Sequence, residues 1–261
     1  MILLLAGTSD ARLLLHRMKA AGLPVAVSVT TEYGAALLEE EADLVNQKKL
    51  DAEGLHELFQ KWQITLVVDA THPYAAEASK NALAATHAAD IPYFRYERAA
   101  VHTEKQTASG LLHKAASVEE AAALAGQLGE TVFLTTGSKN LPDFIRHPAL
   151  ANKRIVARVL PEVNVVAQCR SLGLQPRDIV AMQGPFSQAL NRELFLAYGA
   201  QVIVTKESGK LGGCDTKLAA ATELSLPIVM IERPALSYGR STDNVEELLT
   251  WIGRNQHESH D

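Results

Sequence analysis

The sequence predicts an α/β protein of two doubly wound domains with mainly parallel sheets. Three observations predict it: nine apolar runs of strand length punctuate the chain, helical stretches separate most of them, and hydroxyl- or glycine-bearing turns follow their carboxyl ends. Repeated strand then helix implies parallel strands covered on both faces. Nine strands exceed one typical doubly wound sheet. The polar stretch "HTEKQTASG", residues 102–110, is a place for the first sheet to finish. The division therefore falls between Gly110 and Gly129, taken as a first domain over 1–120 and a second over 121–261.

In chain order, the opening "MILLLAG" holds a buried strand over Ile2–Leu5. It is far shorter than the ~20 apolar residues of a membrane span and lacks a basic flank or cleavage site. A helix over Ala11–Ala21 follows, then a strand over Val25–Val29, a helix over Leu50–Trp62, a strand over Leu66–Val68, a helix over Ala75–Ala89 and a strand over Pro92–Arg95. The second half begins with a helix over Val118–Leu128 and strands over Val132–Thr135, Arg154–Arg158 and Ile179–Met182. It continues with a helix over Ser187–Tyr198, a strand over Val202–Thr205, a helix over Thr216–Leu224 and a strand over Ile228–Ile231. Each helix shows apolar residues three to four apart and each strand a short continuous apolar run. The late stretch "NVEELLTWIG" is an amphipathic helix whose Leu248, Leu249, Trp251 and Ile252 are expected to pack back on the first domain rather than at a dimer contact.

Composition narrows the function. An apolar fraction of 47% with 21% charged residues is that of an ordinary globular protein. A net charge of -5 supplies no basic field, which excludes nucleic-acid binding by phosphate neutralisation. An anionic ligand must then be held by locally placed Arg, Lys and backbone N–H groups. Cys169 and Cys214 are far apart without metal-ligand spacing, so no metal site and no disulfide framework is expected, and a reducing, cytoplasmic compartment fits. The chain is expected to be a monomer with no membrane partner.

Ligands of open parallel sheets lie beyond the carboxyl ends of the strands, so the residues just after each strand carry the chemistry. After the first strand, "AGTSDARLLLHRM" offers Gly7 for a tight turn and Thr8, Ser9 and Asp10 at a helix start suited to a phosphate or carboxylate. The dinucleotide glycine fingerprint is absent, and a plain capped turn explains the same residues. The second strand ends in "VTTEYG", which puts Glu32 where a Rossmann-like domain commonly carries the acid that accepts from a ribose 2′-OH. An acid there repels a 2′-phosphate and favours NADH over NADPH. The third strand runs into "DATHPY", gathering Asp69, Thr71, His72 and Tyr74, with Pro73 holding His72 toward extended geometry. "YFRYER" follows, with Arg95 and Arg98 among tyrosines able to clamp carboxylates and stack on a planar ligand.

In the second half "LTTGSKNL" repeats the pattern with Thr136, Gly137, Ser138 and Lys139 as a further anion cradle. Arg158 comes from "ARVLPE", Gln183 and Ser187 from "AMQGPFS", Lys206 and Ser208 from "VTKESGKLGG" and Arg233 from "IERP". Lys206 directly follows a buried strand, where a lysine can position an anion, lower a barrier electrostatically or deliver a proton.

In this order "GTSDAR", "DATHPYA", "RYER", "TTGSKNL", "ARVLP", "QGPFS", "TKESGKLGGCDTK" and "IERP" cover nearly the whole chain, and their ordered set resembles the precorrin-6A and cobalt-precorrin-6A reductases of corrin-ring (vitamin B12) biosynthesis. The resemblance implies two Rossmann-like domains with a ligand cleft between them. It also implies NADH or NADPH as hydride donor, and reduction of one ring C=C bond of a carboxylate-rich contracted tetrapyrrole to give precorrin-6B. It implies cofactor contacts from Gly7, Thr8, Ser9, Asp10, Arg12 and Glu32, with Thr136, Gly137, Ser138 and Lys139 as the other pyrophosphate cradle. Substrate contacts are expected from Asp69, Thr71, Arg95, Arg98, Arg158, Gln183, Ser187, Ser208 and Arg233. Lys206 is the first catalytic expectation, with His72 or Tyr74 second. Ala6 stands where the family often has glycine, Asp10 where it often has glutamate, and Lys210 interrupts the glycine-rich loop. The stretch "SVTTEYG" resembles the cobalt branch. Two other readings stay open: a nicotinamide-dependent reductase of another small polyanionic substrate, and a non-catalytic two-lobed nucleotide-binding regulator.

Overall fold

The computed structural model describes residues 1–97, 103, 106–107, 109–208, 213–234 and 236–258. The first sheet contains β1 (Ile2–Leu5), β2 (Val25–Ser28), β3 (Leu44–Asn46), β4 (Leu66–Asp69), β5 (Tyr93–Tyr96) and β12 (Ser241–Thr242), in the order β12-β5-β4-β1-β2-β3. The second contains β6 (Leu112–Ala115), β7 (Thr131–Leu134), β8 (Arg154–Val159), β9 (Ile179–Ala181), β10 (Val202–Lys206) and β11 (Ile228–Ile231), in the order β6-β11-β10-β7-β8-β9. The pairings in both sheets are parallel, which gives two Rossmann-like α/β units.

Strand periodicity builds the first core. Ile2 and Leu4 point to one face with Leu14, Met18 and Val27, while Leu3 and Leu5 point to the other with Leu55, Phe59 and Val67. Successive strand side chains alternate, so a strand covered on both sides must be apolar throughout. The helices Ser9–Ala20 and Val245–Glu258 cover the first face, and Ala52–Trp62 with Ala76–Ala89 the second. Asp51 caps the helix Ala52–Trp62 by accepting from the Gly54 N–H at 2.9 Å. In the second unit Phe133, Val156, Phe195, Ile203 and Leu218 meet in one cluster, with Phe133 and Phe195 edge to face.

Three strands and three helices were not expected. β3, β6 and β12 are edge strands with one neighbour each, so they need no continuous apolar run. The helices Glu32–Ala36 and Leu141–Arg146 are too short to show a period, and Val163–Ser171 mixes apolar and polar residues. The division between units also differs from the expected 120/121. One unit is Met1–Arg98 with Pro234–Asp261, and the other is Ala99–Arg233. The reason is pairing: β6 precedes residue 120 yet joins β11, while β12 follows β11 yet joins β5. The last helix belongs to the first unit through Leu248 and Ile252, both fully buried, and through Trp251, whose ring centre is 4.6 Å from that of Phe94. Among the described residues no helix is long and apolar enough to cross a membrane.

Each sheet has one point where strand order reverses. In the first it lies between β1 and β4, and in the second between β7 and β10. Crossover connections leave the two sides of such a point in opposite directions, which opens space beyond the carboxyl ends.

Candidate functional site

At the β1/β4 point, the turn after β1 runs Ala6–Thr8 into the helix Ser9–Ala20. Thr8 has extended N-cap geometry, yet its hydroxyl makes no cap bond and instead donates to the Ala70 carbonyl at 3.2 Å. The Thr8 side chain therefore caps none of the first-turn N–H groups. A Cβ on Gly7 would stand 3.7 Å from the His72 amide nitrogen and 3.8 Å from Thr71 Cα, so glycine keeps that mouth open. Asp10 is buried in the same first turn, whereas Arg12 and Glu32 are exposed, Glu32 at the carboxyl end of β2. Backbone donors, an open turn and a dipole end fit the pyrophosphate of a nicotinamide cofactor, and Glu32 fits its ribose.

The cluster after β4 divides into two parts. Asp69 is fully buried and accepts five hydrogen bonds. Oδ1 takes the Thr71 N–H (2.9 Å), the Thr71 hydroxyl (2.7 Å) and Arg95 Nη1 (2.7 Å), while Oδ2 takes the Ser79 and Tyr93 hydroxyls at 2.6 Å each. Arg95, also fully buried, donates further to the Thr71 hydroxyl and carbonyl, and its guanidinium lies 4.9 Å from the Tyr238 ring centre. Burial, reinforced by the Asp69 charge, holds the Tyr93 phenol far above its ordinary pKa, so it stays a donor. Asp69 and Arg95 were expected at the substrate. The structure instead pairs them with each other away from solvent, where they shape the turn that carries Thr71 and His72. That turn is half-buried. His72 Nδ1 accepts from the Tyr74 N–H at 3.3 Å, which in the neutral ring leaves the proton on Nε2. The two rings are 5.7 Å apart.

At the β7/β10 point, Lys206 ends β10 and its Nζ donates to Asn140 Oδ1 at 2.8 Å. Burial lowers the Lys206 pKa, and the neighbouring Lys139 lowers it further. Thr136 is buried in the same turn with its hydroxyl unpartnered, an acceptor or donor available to a ligand. Ser138 is half-buried and Lys139 exposed. Two cations, a hydroxyl and a turn at a switch point suit a multiply charged anion.

Near the carboxyl end of β8, Arg158 is buried, donates from Nη1 to Asn191 Oδ1 at 2.7 Å and sits 4.2 Å from the Phe186 ring centre, with its pKa pushed down to about 10 by burial. Gln183 is exposed. Ser187, expected at the substrate, is the N-cap of the helix Gln188–Ala197: its hydroxyl accepts from the Leu190 N–H at 3.2 Å. Arg233 donates to the Glu207 carbonyl at 3.2 Å and approaches its carboxylate at 3.6 Å, so its charge is balanced by a neighbour rather than reserved for a ligand. Ser208 is buried, and its backbone N–H reaches the Cys214 thiol. Arg98, Lys210 and residues 102, 104, 105 and 108 of the stretch 102–110 lie outside the described residues.

Sequence reasoning missed Tyr93, Ser79, Asn140, Asn191 and Lys217. Asn140 stood inside the quoted "TTGSKNL" and Lys217 closes "TKESGKLGGCDTK", so position after a strand was the available signal. Nothing local marks Asn191, ten residues beyond a strand end.

Nearly the whole chain matches known proteins. The family model described as precorrin-6x reductase CbiJ/CobK matches residues 1–253. A cobalt-precorrin-6A reductase of Priestia megaterium is 42% identical over 250 residues, covering 95% of this chain and 96% of that protein. One of Methanothermobacter thermautotrophicus is 36% identical over 258 residues, covering 95% and 83%. A precorrin-6A reductase of Rhodococcus erythropolis is 33% identical over 204 residues, 77% of each. Among solved structures, CobK precorrin-6A reductase superposes with a TM-score of 0.80 at 27% identity, covering 97% of this chain and 96% of that one. On these grounds the chain belongs to the precorrin-6x reductase CbiJ/CobK family.

Proposed function

We propose that this chain reduces one ring C=C bond of cobalt-precorrin-6A to give cobalt-precorrin-6B, with NADH as the hydride donor. The coarser part comes with the family: the chain is a nicotinamide-dependent oxidoreductase acting on precorrin-6A in corrin-ring biosynthesis. The cobalt-loaded substrate is favoured by the relatives at 42% and 36% identity, both named cobalt-precorrin-6A reductases. NADH is favoured by Glu32, an exposed carboxylate at the end of β2 that would accept from a ribose 2′-OH and repel a 2′-phosphate.

The observation that carries the chemistry is Lys206, held by Asn140 at 2.8 Å at the β7/β10 point with its pKa lowered by burial and by Lys139. When bound, the reduced nicotinamide supplies the hydride. The protein supplies placement and charge. The backbone of Gly7, Thr8, Ser9 and Asp10, with Arg12, would hold the cofactor's anionic centre, and Glu32 its ribose. Lys206 would give its proton to the ring carbon beside the one that receives hydride, because an ammonium destabilised by burial releases a proton more readily. Asn140 fixes where that proton points. His72, whose Nδ1 accepts from the Tyr74 N–H so that the neutral ring carries its proton on Nε2, is the second donor proposed, with the Tyr74 ring 5.7 Å from its own. Arg158, Gln183 and the Thr136–Lys139 turn would take peripheral carboxylates.

The test is loss of reduced-nicotinamide absorbance on mixing the purified protein with cobalt-precorrin-6A, with NADH and NADPH in parallel and the metal-free substrate alongside. Faster turnover of the cobalt compound with NADH is expected. A preference for NADPH would remove the Glu32 argument, and a preference for the metal-free substrate would remove the cobalt assignment.

A further inference from the structure

Lys217 has no role in the reaction proposed above, yet its charge is unfavourably placed. It lies in the first turn of the helix Cys214–Glu223 and is 8% exposed. A lysine there opposes the helix dipole, whose positive end attracts anions. Among the described residues no hydrogen-bond acceptor and no carboxylate reaches its Nζ, and Asp215 on the same turn accepts instead from the Thr216 N–H at 2.9 Å. The second buried cation is Arg158, 7% exposed and close enough to oppose the lysine's charge. The two share one wall. Arg158 bonds Asn191, Asn191 Nδ2 contacts the Thr216 hydroxyl at 3.4 Å, and that hydroxyl donates to the Phe186 carbonyl at 3.0 Å. Phe186 in turn presents its ring to the Arg158 guanidinium.

Two cations, each at most 8% exposed, beside a helix start are unfavourable together unless an anion completes them. Burial drops the Lys217 pKa to about 8 and Arg158 lowers it further, against the opposing pull of Cys214 and Asp215. We propose that Arg158 and Lys217 form a carboxylate-binding subsite that takes one acetate or propionate arm of the corrinoid substrate, with the Phe186 ring as its apolar border. Two carboxylate oxygens match one guanidinium edge and one ammonium. The identity of that carboxylate rests on the reductase reading, whereas the presence of an anion site does not.

The test uses the full chain with Lys217→Met and Lys217→Arg, titrated separately with the reduced corrinoid product and with reduced nicotinamide. Lys217→Met is expected to weaken corrinoid binding roughly 10- to 100-fold, to raise KM more than it lowers kcat, and to leave nicotinamide affinity unchanged. Lys217→Arg, which keeps the charge, should retain most of the corrinoid affinity. Lys217→Met should also melt roughly 2–4 °C higher, because an apolar chain replaces an unpaired buried cation. Citrate at fixed ionic strength should raise the melting temperature of the wild type and not of Lys217→Met. Unchanged corrinoid affinity, a loss confined to nicotinamide (a cofactor phosphate as the anion), or a lower melting temperature for Lys217→Met would each overturn the proposal. Absence of wild-type turnover with either corrinoid sinks the reductase reading instead. The citrate experiment then decides the subsite alone: a Lys217-dependent rise keeps it, and an equal response in both proteins removes it.

Discussion

Lys206 and Glu32 carry the sharpest expectations for single residues. If the Lys206 ammonium delivers the proton, Lys206→Ala should lower kcat about 100-fold while nicotinamide affinity holds. Near-normal turnover at saturating substrate would end its catalytic role. The pH dependence has a definite sign. The active form is the protonated one, so kcat should fall as pH rises through a pKa that burial and Lys139 hold below the ordinary lysine value. Lys139→Ala removes the second cause and should move that alkaline limb upward in a kcat–pH profile. Glu32→Ala should raise the KM for NADH about tenfold, the worth of a hydrogen bond to a charged acceptor, and narrow any preference over NADPH. Steady-state kinetics with both cofactors checks this.

Among the elements, the Asp69–Arg95 pair ties β4 to β5 and, through Ser79, to the helix Ala76–Ala89. Both partners are fully buried, so removing Arg95 strands the Asp69 charge, and removing Asp69 leaves Arg95 with the more distant Glu97 carboxylate at 3.8 Å. Arg95→Met or Asp69→Asn should therefore cost about 3–5 kcal/mol, far more than a surface ion pair, and chemical denaturation would measure it. Tyr93 adds a pH test. Its folded pKa is raised, so its stabilising contribution is complete below the unfolded value of about 10 and is lost as pH rises above that. Tyr93→Phe should lower stability near neutrality, by about 1–2 kcal/mol, and flatten the alkaline decline in melts from neutral pH to beyond the tyrosine range. A variant that declines as steeply as the wild type would rule out the phenol.

For the whole molecule, the first unit is completed by a strand and a helix from outside its main run of sequence, whereas the second is one continuous run. β12 and the last helix return after the second unit has been built, and β6 leaves for the second sheet after the first five strands. Deleting residues 234–261 would strip Leu248, Trp251 and Ile252 from the first core, a loss on the order of 5 kcal/mol from burial alone. That rivals the total stability of a domain. The first unit should then lose amide protection against hydrogen exchange while the second keeps it, and equal protection in both would show the tail to be dispensable.

The sequence by itself determined the class of fold and the places where chemistry could sit. Parallel strands covered on both faces must be apolar throughout, so β1, β4, β7 and β10 announced themselves, and whatever follows such a strand falls at a carboxyl end. Gly7, His72, Thr136 and Lys206 were found in that way. Edge strands need no such run, so β3, β6 and β12 stayed hidden and the unit boundary with them. Only the tertiary structure decided how polar residues divide between holding the fold and facing a ligand. Asp69 and Arg95 are 26 residues apart and looked like ligand contacts, until their pairing showed each to be the other's counter-ion. Lys217 looked like one more residue of a motif, until the structure buried it near Arg158 with no hydrogen bond or ion pair among the described residues. Both outcomes turn on which charges meet in space, a non-local property that spacing along the chain does not encode.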